Sequence, residues 1–475
     1  MIEKFDLIIV GTGFASSFFL DAYLAKANPT TRILVLERGR LDTHAWQVKN
    51  RRNTSQDQND TFINKHPQKK WIFTPSFGGG SNCWWGVTPR MMPNDFRMQS
   101  VYGVSVDWPI SYEELEAFYA QTEEIMSISG PDDGSPFPRS TPYPQPPHRF
   151  TDPDKVLKEA YPDLFFHLPT ARASKSTPNR PRCCATGVCN LCPINAKFTI
   201  LNEMNHLYED SRVTLILEAT VQTVETKGGV ATGVSYLKDG VVSQAGAEIV
   251  VLGGNAIFNP HILHRSNIRH PLLGKYLDEQ IALKVSIDLH GLNNFQGSTS
   301  NTGHGYMLYD GEHRREHAGC LIETWNTPND LRVEQGKWQQ RLILRVIYEN
   351  LPRQQNYVKY DQDNPDLPET VYTGPSDYAL KGMEKLPSIL PGLLGPLPVE
   401  NVLISDRPHS TEAHILGTTV MGHDPQTSVI DKHLIHHQVR NLLVLGSGAF
   451  PTVAPANPTL TISALSLWAA HHLLN

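Results

Sequence analysis

Phe5-Asp-Leu-Ile-Ile-Val10 is a short apolar, β-branched run that leads directly into Gly11-Thr-Gly13-Phe-Ala-Ser16. Residues 17–26 have helical composition, and a second apolar run, Arg32-Ile-Leu-Val-Leu36, ends on Glu37. A buried parallel strand, a glycine turn, a helix and a second strand closed by an acid make a βαβ dinucleotide unit. The glycines permit the tight turn and let a pyrophosphate approach the helix N-terminus, where free N–H groups favour negative charge. The acid can bind a ribose hydroxyl. Gly11, Gly13, Ser16 and Glu37 are therefore candidate nucleotide residues, and the expected fold class is α/β with a Rossmann-like domain. Ser16 stands where a third Gly or Ala is usual, a departure that the helix–strand contact can tolerate.

The opposite end of the chain carries a second strand–turn–helix signal. His414-Ile-Leu-Gly-Thr418 is followed by Met421-Gly-His-Asp424, by Asn441-Leu-Leu-Val-Leu-Gly446, and by Ala456-Asn-Pro-Thr-Leu-Thr461. Such strand ends deliver polar side chains to one edge of an α/β sheet, where ligands bind, so His414 and Asn457 are expected at one site although 43 residues separate them. Asn457 also has an ordinary explanation as a helix cap before Pro458, and a lone histidine among 20 is more often a packed or surface residue.

Between these ends, Phe77-Gly-Gly-Gly-Ser-Asn-Cys83-Trp-Trp-Gly86 suits a backbone passing close to a flat ring with aromatic walls. Residues 40–68 are polar and breaker-rich and read as a loop over the nucleotide. Glu113–Ile128 carries helical spacing with Ser111 as its cap, and residues 130–149 read as an extended surface segment. Short strands follow from Val213 to Val251, ending in a second glycine turn at Gly253-Gly254, and a short helix is expected at 259–266. Residues 280–400 read as strands and long loops with scattered aromatics.

Four of the six cysteines, Cys183, Cys184, Cys189 and Cys192, lie within ten residues, which favours metal or cluster ligation over a disulfide framework. Zinc prefers two separated ligand pairs, and unliganded structural thiols are the remaining alternative. The net charge of −6 offers no basic field for nucleic acid. No apolar run approaches the ~20 residues of a membrane span, and Met1-Ile-Glu-Lys4 lacks a signal-peptide pattern. The expected location is cytoplasmic, or periplasmic only if a partner subunit carries the chain there.

Taken together, these motifs resemble the glucose–methanol–choline (GMC) flavoprotein oxidoreductases, with the pyranose oxidases and the catalytic subunits of bacterial FAD-dependent glucose and fructose dehydrogenases as the most similar members. The resemblance implies FAD, with Gly11 and Gly13 at the pyrophosphate and Glu37 on the adenosine ribose. It places Gly79, Gly80, Ser81, Asn82, Cys83, Gly446, Pro458 and Thr459 around the flavin. It implies proton abstraction by His414, a hydrogen bond from Asn457 to the substrate oxygen, and hydride transfer to flavin N5. Cys83 stands where pyranose oxidases carry a histidine bonded covalently to FAD, so a dissociable flavin is expected. The Cys-Cys-x4-Cys spacing resembles a [3Fe–4S] ligand run, which implies Cys183, Cys184 and Cys189 as ligands, leaves Cys192 without a secure counterpart, and implies a small subunit and a cytochrome as partners. The expected architecture is a discontinuous FAD-binding domain (1–110, 170–275 and 401–475) and a substrate domain (111–169 and 276–400) built on a mostly antiparallel sheet. The rivals are an oxygen-reducing oxidase with a structural cysteine run and a flavin-binding protein without turnover.

Overall fold

The computed structural model describes residues 2–326 and 330–475. In chain order, the elements that position the site are β1 (Glu3–Val10), α1 (Phe14–Leu24), β2 (Ile33–Leu36), α2 (Tyr112–Met126) and β3 (Phe165–His167). Next come β4 (Val213–Ile216), β5 (Thr220–Lys227), β6 (Val230–Lys238), β7 (Val241–Leu252) and α3 (Phe258–Arg265). The chain continues through β8 (Ile281–Leu289), β9 (Asn301–Gly305), β10 (Cys320–Trp325), β11 (Arg341–Tyr348) and α4 (Asp377–Leu394), and closes with β12 (Val399–Ile404), β13 (Leu442–Val444) and α5 (Thr459–Leu474).

Two large sheets organise the molecule. The first runs β4–β2–β1–β7–β6–β5, with β13 also paired to β7. Its β4, β2, β1, β7 and β13 pairings are parallel, while β5–β6 and β6–β7 are antiparallel. Residues 7–9 and 33–36 are buried on both faces because helices cover the sheet, which is why these strands read as continuous apolar runs rather than alternating ones. The second sheet, β12–β8–β11–β10–β9–β3, is antiparallel throughout.

Two sequence expectations change here. Residues 112–126, expected with the substrate domain, form α2, whose apolar stripe of Leu115, Tyr119 and Met126 joins the core of the first sheet; the Tyr119 hydroxyl meets Thr461 Oγ1 of α5 at 2.8 Å. Ser111 does cap this helix, accepting from Glu114 N. The stretch 377–394, expected as strand and loop, is an eighteen-residue helix containing Pro387 and Pro391. Both prolines fall on the exposed face, while Leu386, Leu390 and Leu394 repeat every four residues into the core of the second sheet. Interior proline normally argues against a helix; burial of the leucine stripe overrides it here.

Candidate active site

The β1–α1 turn is drawn tight against the neighbouring strands. Gly11 has φ of +92°, and a Cβ there would stand 2.9 Å from the carbonyl oxygen of Gly253, so only glycine fits. Thr12 between the glycines donates from N and Oγ1 to Glu37 Oε2 at 3.0 and 2.7 Å, and its Oγ1 accepts from Gly78 N at 3.0 Å. Glu37 Oε1 accepts from Gly39 N at 2.8 Å. Burial pushes the Glu37 carboxyl up, against the pull of the Thr12 and Gly39 hydrogen bonds. One buried acid therefore fastens the end of β2 to both glycine turns. Those turns nearly touch, since a Cβ on Gly79 (φ +51°) would lie 3.0 Å from Gly13 Cα.

A cavity of about 760 Å³ opens over this cradle and extends to the second sheet. Gly11, Gly13, Glu37, Gly79, Gly80, Cys83, His414, Gly446, Asn457, Pro458 and Thr459 all line it. Ser16, Ser81 and Asn82, expected at the cofactor, do not. Ser16 lies behind the turn with Oγ on Val10 O at 3.3 Å, opposite Gly253. Ser81 Oγ donates to Gly78 O at 2.7 Å and accepts from Ile200 N at 3.0 Å, and Asn82 Nδ2 donates to Phe77 O at 2.8 Å. All three shape the cradle from outside. Cys83 is half-buried, and burial pushes its thiol up.

Residues 413–415 and 457–459 bring the base end together. His414 Nδ1 lies 3.1 Å from Gln280 Oε1. The Gln280 amide nitrogen donates to Ala454 O and Ala456 O, both at 2.9 Å. Beneath the loop, the buried Glu279 carboxylate accepts from His414 N, Glu412 N and Thr411 Oγ1, each at 3.2 Å, and pairs with Lys69. Burial lowers His414 to about 4, with Glu323 pulling up and Arg345 and Lys69 pushing down, so the imidazole is neutral near pH 7. Asn457 Oδ1 is buried without a partner among the described residues.

The second sheet supplies the far wall. Trp85 and Trp325 face each other with ring centroids 4.9 Å apart, beside Asn301, Glu323, and an Arg345–Glu412 pair joined through Nε and Nη2 at 2.9 and 2.6 Å. Burial works against the charge on Glu323, but His304 (3.5 Å away) and Arg345 outweigh it and hold the carboxyl below its ordinary value. Glu323 and Arg345 are cross-strand neighbours, Glu323 the one charge in β10 and Arg345 the one charge inside β11, whose other arginine, Arg341, stands at its first position. That interruption is a sequence signal left unread above. Glu279 and Gln280 offered none, because polar residues before an apolar strand read as a surface turn.

At the cradle end, Arg38 Nε, Asn53 Oδ1 and both ring nitrogens of His261 are buried without partners among the described residues, and all three residues line the cavity. The Arg38 guanidinium sits 4.4 Å over the Phe258 ring. No atom would meet a Cβ on Gly13 or Gly80 within 4 Å, so backbone there faces open space. Bare glycine backbone, orphaned polar atoms and aromatic neighbours fit a dinucleotide carrying a fused ring.

The cysteine run is arranged differently from the expected ligand set. Cys189 is buried with Sγ 3.0 Å from Ser300 Oγ, and Cys183 Sγ lies 3.5 Å from Thr299 Oγ1. Cys184 is exposed, and Cys192 Sγ accepts from Ala196 N at 3.2 Å. Among the described residues no three Cys, His, Asp or Glu side chains are placed to share a metal ion. As placed, these thiols do not fit an iron–sulfur cluster.

Residues 352–466 match the GMC oxidoreductase family. The chain is 26% identical to the fructose dehydrogenase large subunit of Gluconobacter japonicus, covering 99% of this chain and 98% of that protein. It is 24% identical to 2-methyl-1,2-propanediol dehydrogenase of Mycolicibacterium austroafricanum, covering 99% and 95%. Among solved structures, pyridoxine 4-oxidase from Mesorbium loti superposes with a TM-score of 0.66 over 98% of both chains at 16% identity. That likeness extends the fold assignment to the whole chain.

Proposed function

Because residues 352–466 form a GMC oxidoreductase C-terminal domain, we propose that this protein is an FAD-dependent enzyme oxidising a CH–OH group of a sugar or other alcohol, as a dehydrogenase with an external electron acceptor. The observation that carries the reading is the convergence of the His414 ring and the Asn457 amide on one cavity that also contains the glycine cradle. Relatives named as fructose and diol dehydrogenases support the substrate class.

Gly11 and Gly13 at the N-terminus of α1 would hold the pyrophosphate and Glu37 the ribose, while Gly79, Gly80, Cys83, Gly446, Pro458 and Thr459 would surround the flavin ring. FAD, when bound, supplies the acceptor for the hydrogen and electron pair leaving the carbinol carbon. His414, kept neutral by burial, accepts the hydroxyl proton at Nε2. Asn457 Nδ2 donates to the substrate oxygen and fixes its geometry. The sixteen-residue helix α5 begins at the cavity wall, so its N-terminal dipole favours negative charge there. Trp85 and Trp325 offer flat apolar faces, and Asn301, Glu323 and the Arg345–Glu412 pair offer hydrogen-bonding groups, a lining suited to a polyhydroxylated substrate.

The test is anaerobic mixing with a panel of sugars and polyols, followed by flavin bleaching. His414→Ala should slow bleaching by ~10²–10⁴-fold while leaving the flavin bound; a loss below tenfold removes His414 from the role. If reduced protein is reoxidised faster by oxygen than by quinone or dye acceptors, the oxidase reading replaces the dehydrogenase. The relative named as a large subunit supports a partner subunit here as well. The [3Fe–4S] cluster expected on Cys183, Cys184 and Cys189 does not fit these thiols as placed, and iron with acid-labile sulfide in cluster-like amounts in anaerobically purified protein would overturn that reading.

A further inference from the structure

Gln280 is the buried residue just before β8 and does not line the cavity, yet its amide touches both halves of the site. Its nitrogen has two hydrogens, and both are committed: one to Ala454 O and one to Ala456 O, the carbonyls just before Asn457. Its oxygen can only accept. At 3.1 Å from that oxygen, His414 Nδ1 must therefore carry the ring proton, which leaves Nε2 with its lone pair. Reversing the amide would set its oxygen against two carbonyl oxygens, so neither orientation nor tautomer is free.

We propose that Gln280 is the positioning residue that selects the proton-accepting tautomer of His414 and locks it in register with the Asn457 turn. The proposal rests on His414 acting as the base. Other groups around the ring do not duplicate this task. Glu279 binds the His414 backbone N–H, Glu412 is held by Arg345, Lys69 is paired with Glu279, and Glu323 is held by Trp325 Nε1 and Asn301 Nδ2 on the far wall. None of them bonds Nδ1 among the described residues.

The test compares Gln280→Met and Gln280→Glu holoenzymes with the parent. Gln280→Met retains volume but loses all three hydrogen bonds; flavin reduction should slow by roughly 10–100-fold, the usual cost of losing a ring-orienting partner. Gln280→Glu puts a carboxyl oxygen against Ala454 O and Ala456 O, so the acid is held protonated there, keeps its other oxygen on Nδ1 and should reduce flavin faster than Gln280→Met. Histidine-selective ¹⁵N NMR, with the His414 signal assigned by His414→Asn, should show protonated Nδ1 and bare Nε2 in the parent, and a tautomer mixture in Gln280→Met. A Gln280→Glu rate no higher than that of Gln280→Met, or Nε2-protonated His414 in the parent, overturns the proposal. The NMR readout needs no turnover, so if His414→Ala retains full bleaching, the base role of His414 fails while the tautomer assignment still stands or falls separately. A variant that loses flavin or its thermal transition is replaced by Gln280→His, which keeps a ring acceptor for Nδ1 and should keep the parent tautomer in the NMR spectrum.

Discussion

Substituting Gly253 by Ala tests how the departure at Ser16 is accommodated. Gly253 follows β7 and donates its N–H to Val10 O at 2.8 Å. A Cβ there would lie 1.9 Å from Ser16 Oγ, 3.0 Å from Val10 O and 3.1 Å from Ser16 Cβ. Rotating the Ser16 hydroxyl away removes the first contact and its hydrogen bond to Val10 O, at about 1 kcal/mol. The other two atoms are held by β1 and α1, so α1 must move by a few tenths of an ångström, at about 1–3 kcal/mol. Gly253→Ala alone should therefore destabilise the apo-protein by about 2–4 kcal/mol. Ser16→Gly alone loses one hydrogen bond and some helix propensity, about 1–2 kcal/mol. Together, two of the three clashes vanish and the hydrogen bond is lost only once, so the double variant should cost less than the sum by about 1–2 kcal/mol. Urea unfolding of the apo-proteins, followed by tryptophan fluorescence and paired with FAD titration, reads the cycle. Additivity within about 0.5 kcal/mol would refute the idea that residues 16 and 253 share one space.

Two further outcomes follow from burial. With His414 near 4 in the folded protein against about 6.5 unfolded, the reduction rate should stay level across neutral pH and fall only as pH approaches about 4. The unfolded chain binds the extra proton between those values, so stability drains as pH falls from about 6.5 toward 4; a rate limb centred near 6.5 would show that His414 is not held neutral. Cys83, its thiol pushed up by burial, is a poor nucleophile. Acid precipitation should leave all flavin in the supernatant, and yellow precipitate would contradict a dissociable cofactor.

Legibility along the chain tracked how local each signal was. The cradle at Gly11, Gly13 and Glu37 could be read because turn, helix start and strand end are consecutive, and the Gly78–Cys83 and Asn457–Thr459 turns for the same reason. Ser16, Ser81 and Asn82 share those motifs but face away from the cavity, a distinction decided by packing against Gly253, Ile200 and Phe77 rather than by spacing. Gln280 and Glu279 matter through partners more than 130 residues away, which no local pattern encodes. The helix at 377–394 was hidden because two prolines outweigh a leucine stripe in a linear reading and do not once the stripe is buried.

The pairing of the first sheet also dictates an order of assembly. β1 lies between β2, which follows it closely, and β7, whose paired residues 245–252 emerge more than two hundred residues later. Still later, β13 adds to β7 and α5 packs on α1, whose Phe18, Phe19 and Leu20 are fully buried only in the finished molecule. At 5–20 residues per second of synthesis, α1 waits roughly 20–90 s for α5. Throughout that interval its apolar side offers a sticky surface to other nascent chains. The wall formed by Asn457, Pro458 and Thr459 arrives with the same helix, so the cavity that the proposed function assigns to flavin is closed only once α5 docks on α1.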